Sequence, residues 1–319
     1  MKWKKLGRVF NPKDHPNRPF WMHEYAQAPA TLIFDKFVRV YFSCRPERDK
    51  DGQFVSYSGF IDLDRHNLFN IVNMCDDPVF KLGDLGTFDE FGTYPMSVIR
   101  HDNDVMAYYA GWTRCESVPF NVAIGAARSH DNGVTFQKLG RGPLLEYSPD
   151  EPFTMSGPKV RFFDGKYYLF YVAGDKWILN DGKPEISHKI RLAVSDDGIN
   201  WIKHNKNLIH DKWGVNESQA SPDVIYMNGK YHMFFCGWVP RDFRQTRRRK
   251  IGYAWSMDLF NWHRDDDSVG IDVSKNGFDN EMIAYPHVFN LDGNTYMLYL
   301  GNDVGRYGFG LAQLEAEIK

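Results

Sequence analysis

The sequence predicts an all-β fold: one five-bladed β-propeller spanning residues 1–319, built of four-stranded antiparallel blades. Three observations lead there. Pro29, Pro95, Pro158, Pro222 and Pro286 recur at intervals of 66, 63, 64 and 64 residues. After each comes an apolar strand, a short turn ("FDK", "HDND", "FDGK", "MNGK", "LDGN") and an aromatic-rich second strand such as "YYLFYVAG" or "YHMFFCGW". A period of this length with hairpin turns inside it is the mark of a propeller, whereas a β-sandwich demands no such repeat.

The second half of each unit repeats as well. Candidate third strands are "FVSYSGFID", "NVAIGAARS", "KIRLAVS", "KIGYAWS" and "GFGLAQLE". Three of them lead into related turns, "SHDNGVTF", "SDDGINW" and "SMDLFNW", whose acids are expected to fix the loop while Phe136, Trp201 or Trp262 anchors a fourth strand. The fifth unit ends before a fourth strand, and the N-terminal "KWKKLGRVF" is expected to supply it and close the ring.

Composition agrees. The chain is 43% hydrophobic and 16% aromatic, enough for a sizeable core and rich in strand-forming types. A formal net charge of −2 gives no case for nucleic acid or a membrane surface as partner. No secretory signal or membrane-spanning run stands out, so the cytoplasm is expected, with Cys44, Cys75, Cys115 and Cys236 as reduced thiols. The oligomeric state is not legible.

In a propeller blade the innermost strand comes first and the strands alternate direction outward. The start of strand one and the loop between strands two and three therefore share one face. Five residues before the prolines stand Glu24, Glu90, Phe153, Glu217 and Glu281, so four blades are expected to aim a carboxylate at a central funnel. Like charges brought together raise one another's pKa, which suits acid–base chemistry. Trp112, Trp177 and Trp238 offer flat faces to sugar rings, and Arg45, Asp89, His287 and Asp303 suit their hydroxyls. The expected chemistry is cleavage of a glycosidic bond, one acid donating to the leaving oxygen and another activating water or attacking the anomeric carbon. No cofactor is called for, although carboxylates around an axis can hold a divalent cation. The basic run "RDFRQTRRRK", Arg241 to Lys250, reads as a phosphate clamp through Arg247, Arg248 and Arg249. That keeps a glycoside phosphorylase or an enzyme of activated sugars as one alternative, with a sugar-phosphate substrate, and a non-catalytic glycan-binding propeller as another.

The motifs "SPDVIYMNGKYHMFFCGW" and "KIGYAWSMDLFNW" are similar to the blade pattern of the five-bladed glycosidase-like superfamily, which includes glycoside hydrolase families 43, 32, 68 and 130. The stretches "DPVFKLGDLGTFDEFGTYP", "MSGPKV" and "NEMIAYPHVF" resemble glycosidase-like proteins of bacterial surface-polysaccharide loci. The resemblance covers the whole chain and implies the same propeller and a carbohydrate substrate. In families 43 and 32 a catalytic acid often lies just before the strand-one proline. Here those positions hold Ala28, Tyr94, Gly157, Ser221 and Tyr285, so the acid assignment rests on the Glu-x4-Pro spacing alone.

Overall fold

The computed structural model describes residues 1–240 and 248–316. Blade one comprises β2 (Glu24–Ile33), β3 (Phe37–Arg45), β4 (Tyr57–Asp64) and β5 (Ile71–Met74). Blade two is β6 (Gly92–His101), β7 (Asp104–Arg114), β8 (Phe120–Ser129) and β9 (Gln137–Lys138). Blade three is β10 (Met155–Phe163), β11 (Lys166–Asn180), β12 (Lys183–Ser195) and β13 (Ile202–Lys203), and blade four is β14 (Ser218–Met227), β15 (Lys230–Trp238), β16 (Lys250–Ser256) and β17 (Trp262–Arg264). Blade five takes β18 (Ala284–Leu291), β19 (Asn294–Leu300) and β20 (Phe309–Ala316) from the C-terminal end. Its outermost strand is β1 (Lys2–Phe10), antiparallel to β20, which closes the ring as the sequence predicts.

Local chemistry explains the regularity. In the hairpin turns Asp164-Gly165, Asn228-Gly229 and Asp292-Gly293 both central residues have positive φ, the backbone that matches the twist of the flanking strands. At the next turn of a blade, Asp131, Asp197 and Asp258 accept the backbone N–H groups of Thr135 (2.9 Å), Asn200 (2.7 Å) and Asn261 (2.8 Å). These acids fix loops, as expected. Phe136, Trp201 and Trp262 meet rings of the preceding blade at Tyr41, Tyr108 and Phe170, with centroids 5.6–6.1 Å apart. Tyr41 and Tyr108 also donate their hydroxyls to Gly133 O and Gly198 O in the next blade, both at 2.7 Å. Among the described residues no helix is long and apolar enough to cross a membrane.

The five innermost strands meet at a buried polar knot. Asp223 of β14 is wholly buried and ion-paired to Arg161 of β10. Its Oδ2 lies 2.7 Å from His287 Nδ1 on β18 and accepts Val288 N–H at 3.0 Å. Lys159 Nζ, 1% exposed as a residue, lies 3.9 Å from the same carboxylate and donates to Pro29 O of β2 at 3.1 Å. His287 Nε2 accepts Thr31 N–H at 3.0 Å, which leaves the ring proton on Nδ1, facing Asp223. Val160 N–H donates to Ser97 Oγ of β6, so all five blades are tied in.

Burial pushes the Asp223 carboxyl up, but Arg161, Lys159 and His287 outweigh it and hold it well below the usual carboxylate range. Burial, then the Lys159 charge, lowers His287 to about 4, and burial lowers Lys159 to about 8 against the pull of Asp223. Between pH 6.5 and 4 the unfolded chain therefore gains a proton at His287 that the folded chain refuses, so stability falls as pH falls. The expected loss from this residue is up to about 3 kcal/mol. Denaturant titrations across that window should show a flatter pH dependence for His287→Gln than for the wild type. Asp223→Asn should cost about 3–5 kcal/mol, because it strands buried cations.

Candidate functional site

The entry ends of the five inner strands, where the sequence predicts the mouth of a funnel, are shaped by the prolines. Proline has no N–H for the ladder, and at each one the inner strand slips register against strand two: Gln27/Ala30, Thr93/Met96, Ser156/Lys159, Ala220/Asp223 and Ala284/His287. The residue before the proline carries the irregularity. Ala28, Gly157, Ser221 and Tyr285 have φ between 50° and 61°, and Tyr94 is joined to Pro95 by a cis peptide bond.

Two of these residues build the centre of the mouth. The Tyr94 and Tyr285 rings lie 6.0 Å apart, and the Arg249 guanidinium sits 5.4 Å from the Tyr285 ring and 3.8 Å from the Trp238 ring. Burial, reinforced by the neighbouring Tyr285 phenol, pushes the Tyr94 hydroxyl well above its ordinary pKa. His188, midway along β12 of blade three, is lowered to about 3 by burial and by the Arg249 charge, so it is neutral at pH 7. Its Nε2 is 3.0 Å from Thr154 Oγ1. Arg45 lies 4.5 Å from the Tyr25 ring and 4.6 Å from the Phe54 ring. The centre is thus cationic and aromatic, a setting suited to an anion or to a hydroxylated ring.

The four glutamates expected to converge have unlike surroundings. Glu217 is fully buried and turned outward: Oε1 accepts from Arg264 of the outermost strand at 2.8 Å, and Oε2 takes the N–H groups of Lys212 and Trp213 at 2.8 and 2.7 Å. Its structural counterparts are other acids. Asp89, 1% exposed, is 2.9 Å from Tyr109 Oη and 2.5 Å from Lys138 Nζ. Glu151 meets Tyr171 and Lys203, and Asp279 meets Tyr299 and Lys5, in the same way. In four blades, then, an acid clamps the outermost strand, and in three of them the second-strand tyrosine as well. Glu217 and Asp89 are corrected from catalytic and substrate-binding candidates to parts of this clamp, because neither carboxylate faces the mouth.

Glu24 is buried and paired with Arg306 at 3.0 Å, linking blades one and five. Glu90 is half-buried and accepts Gly86 N–H at 2.9 Å, and Glu281 is exposed. Trp112 donates Nε1–H to Ser56 Oγ at 2.7 Å, and Trp177 meets Phe120 on the long β11–β12 hairpin, with centroids 5.7 Å apart. His287 lies in the axial knot rather than at the mouth, which corrects its reading as a sugar contact. Asp303 is half-buried on the connection between β19 and β20, where it and Val304 both have left-handed backbone. Gln27 of β2 donates to Val304 O at 2.5 Å, pinning that connection against blade one. Arg248 is exposed and Arg249 half-buried, while Arg247 lies outside the described residues. Among the described residues no group of three or more His, Cys, Asp or Glu side chains is placed to hold a metal ion. The residues that sequence reasoning passed over are Tyr94, Tyr285 and His188. The first two are marked by their place directly before the prolines, where the resemblance directs attention to acids and not to tyrosine.

No protein-family model matches the chain. Uncharacterized protein Rv1502 of Mycobacterium tuberculosis, and its counterpart MT1551 from a second strain, are 34% identical over 316 residues, covering 99% of this chain and 100% of theirs. A Thermoanaerobacter beta-1,2-mannobiose phosphorylase is 36% identical over 130 residues, covering 38% of this chain and 40% of its own. Among solved structures, an RGII complex of BT0996 superposes with a TM-score of 0.75 at 17% identity, covering 98% of this chain and 91% of that one. The beta-1,2-mannobiose phosphorylase of Listeria innocua superposes with a TM-score of 0.69 at 13% identity, covering 98% and 96%. These likenesses establish a five-bladed propeller of the kind found in glycoside hydrolases and phosphorylases.

The unlike surroundings of the glutamates have a measurable consequence. Glu217→Gln should lose about 3–5 kcal/mol in chemical denaturation, since it leaves buried Arg264 without its counter-charge. Glu281→Gln, at an exposed position, should stay within about 0.5 kcal/mol of wild type.

Proposed function

The chain belongs to the same family as the mycobacterial protein Rv1502, and from the residues at the opening of the propeller we propose that it is a carbohydrate-active enzyme that breaks a glycosidic bond there with phosphate as the attacking group. The observation that carries this reading is the position of Arg249, at the centre of the mouth between Trp238 and Tyr285, with Tyr94 and His188 around it. A guanidinium in such a site binds phosphate oxygens in pairs, and its aromatic neighbours keep it from folding away. Phosphate also explains a centre poor in carboxylates. It is already an anion, so no base is needed to activate it, and a single acid suffices for the departing oxygen.

In the proposed reaction a phosphate oxygen attacks the anomeric carbon, and the glycosidic C–O bond breaks with its electron pair going to the leaving oxygen. A carboxylic acid protonates that oxygen and regains its proton from solvent. Asp303 is our candidate for the acid. Two successive non-glycine residues in left-handed backbone are costly, above all at β-branched Val304, and such a conformation is kept where position matters. Likeness to two beta-1,2-mannobiose phosphorylases, one in part of the sequence and the other in the fold, supports the choice of phosphate. The exposed carboxylate of Glu281 and half-buried Glu90 favour a second reading, in which water replaces phosphate and one of these acids serves as base.

The test is incubation with β-1,2-mannobiose and a disaccharide panel, with and without inorganic phosphate, read by phosphorus NMR. Sugar 1-phosphate that forms only with phosphate is expected. Arg249→Ala should weaken the dependence on phosphate by about 10- to 100-fold, the worth of a hydrogen bond to a charged group. Asp303→Asn should lower turnover without lowering the melting temperature. Identical products with and without phosphate would make the enzyme a hydrolase, and no product from any sugar would return it to a glycan-binding propeller.

A further inference from the structure

On the rim opposite the mouth, blades three and four carry an unbroken ribbon of rings. Tyr226 and Tyr231 have centroids 4.9 Å apart, Tyr231 and Phe163 5.1 Å, Phe163 and Tyr168 6.1 Å, Tyr168 and Phe260 6.4 Å, and Phe260 and His204 5.2 Å. Two of its rings are open to solvent, Tyr226 at 51% and Phe260 at 38%, while Tyr231 and Tyr168, each 8% exposed, and Phe163 root the ribbon in the core between blades three and four. It runs into a groove of about 630 Å³ between the last strand of blade three and the outer turn of blade four, lined by Trp255, Trp262, His204, His263, Lys206 and Asn207 among others.

The fold does not require the exposed rings of this surface. Four residues after the strand-one proline, blades one and two place half-buried Ile33 and Ile99, blades three and four exposed Phe162 and Tyr226, and blade five exposed Asn290. A blade therefore closes well with a polar residue there. An aromatic ring left in water contributes little to stability, so its presence in two adjacent blades calls for a ligand.

We infer that this ribbon and groove form a second carbohydrate-binding surface, separate from the funnel, that holds an oligosaccharide or polysaccharide chain. The chemistry selects the occupant. A pyranose offers C–H bonds on its faces and hydroxyls at its edge, which matches flat rings interleaved with imidazole, amide and ammonium groups. A ligand apolar throughout would bury those polar groups unpaired. An anion is disfavoured because Asp164 stands beside Tyr231, accepting its hydroxyl at 3.0 Å, and Asp258 lines the groove. The groove volume lies within the range of small-ligand sites. This surface serves to hold a glycan, and it stands whether the mouth transfers to phosphate or to water.

The experiment is native gel electrophoresis through gels containing the neutral polysaccharides yeast mannan, inulin or arabinan, with wild type, Tyr226→Ser/Phe260→Ala and Arg249→Ala in parallel lanes. Wild type is expected to be retarded by at least one polysaccharide. The double variant should bind that polymer at least tenfold more weakly with an unchanged melting temperature, and Arg249→Ala should be retarded like wild type. The inference is overturned if no polymer retards wild type, or if the double variant is retarded equally. It also fails if only Arg249→Ala loses retardation, which assigns binding to the mouth. Sedimentation supplies a last check: a wild-type dimer that the double variant cannot form would make this face a contact between copies instead. The phosphate-dependent assay reads the mouth alone, so failure of one reading leaves the other identifiable.

Discussion

The buried ionic knot on the propeller axis is the interaction on which the remaining structure depends. Asp223 is shared by Arg161, Lys159 and His287, and through Pro29 O, Thr31 and Ser97 the knot reaches every inner strand. A propeller has no central element for its blades to rest on, and each blade meets only its neighbours. Here the missing hub is supplied by charge. Such a group gives little net stability compared with apolar packing, but it tolerates only one arrangement, because any slip leaves a cation or an anion alone in the interior. The five strands are thereby held in one mutual register.

That register decides what stands at the mouth. The slip at each proline is one or two residues from the knot, so the residue before the proline is set at the rim while the residue after it faces the axis. Tyr94 and Tyr285 come from the first set, Lys159, Asp223 and His287 from the second. Ionic groups fill the interior of the axis, and aromatic rings with Arg249 fill its opening. The acids of the strand-one approaches are mostly directed outward, where they clamp the blade edge to the second strand. A propeller of the kind found in glycoside hydrolases and phosphorylases thus carries an arginine among aromatic rings at its opening and a closed ionic network beneath it.

Much of the fold was legible because proline marks are sparse and costly in a strand: five of them at near-constant spacing leave few alternatives. The hairpin turns and the Phe136, Trp201 and Trp262 anchors were legible for the same reason. The site was less so. Glu217 shares its spacing with Glu24, Glu90 and Glu281, yet its structural partners are Asp89, Glu151 and Asp279, which precede their prolines by six or seven residues instead of five. The approach to strand one is an irregular loop, and a loop can gain or lose a residue without moving the side chain that matters. Equal spacing there does not mean equal position. His287, by contrast, lies within a strand directly after its proline, the place that Lys159 and Asp223 also occupy, and only that shared place beside two charged residues sets it in the axis rather than at the mouth.

The pairing of β1 with β20 imposes an order on biosynthesis. The ribosome makes Lys2–Phe10 long before Phe309–Ala316, so β1 waits without its partner while all the strands between them are produced. An unpaired strand invites intermolecular adhesion, and lysines along it are a natural deterrent. Lys2, Lys4 and Lys5 occupy this waiting segment. Once the circle shuts, the same side chains find Glu315 and Asp279, and the nascent protein's guard against aggregation becomes the seal of its finished ring.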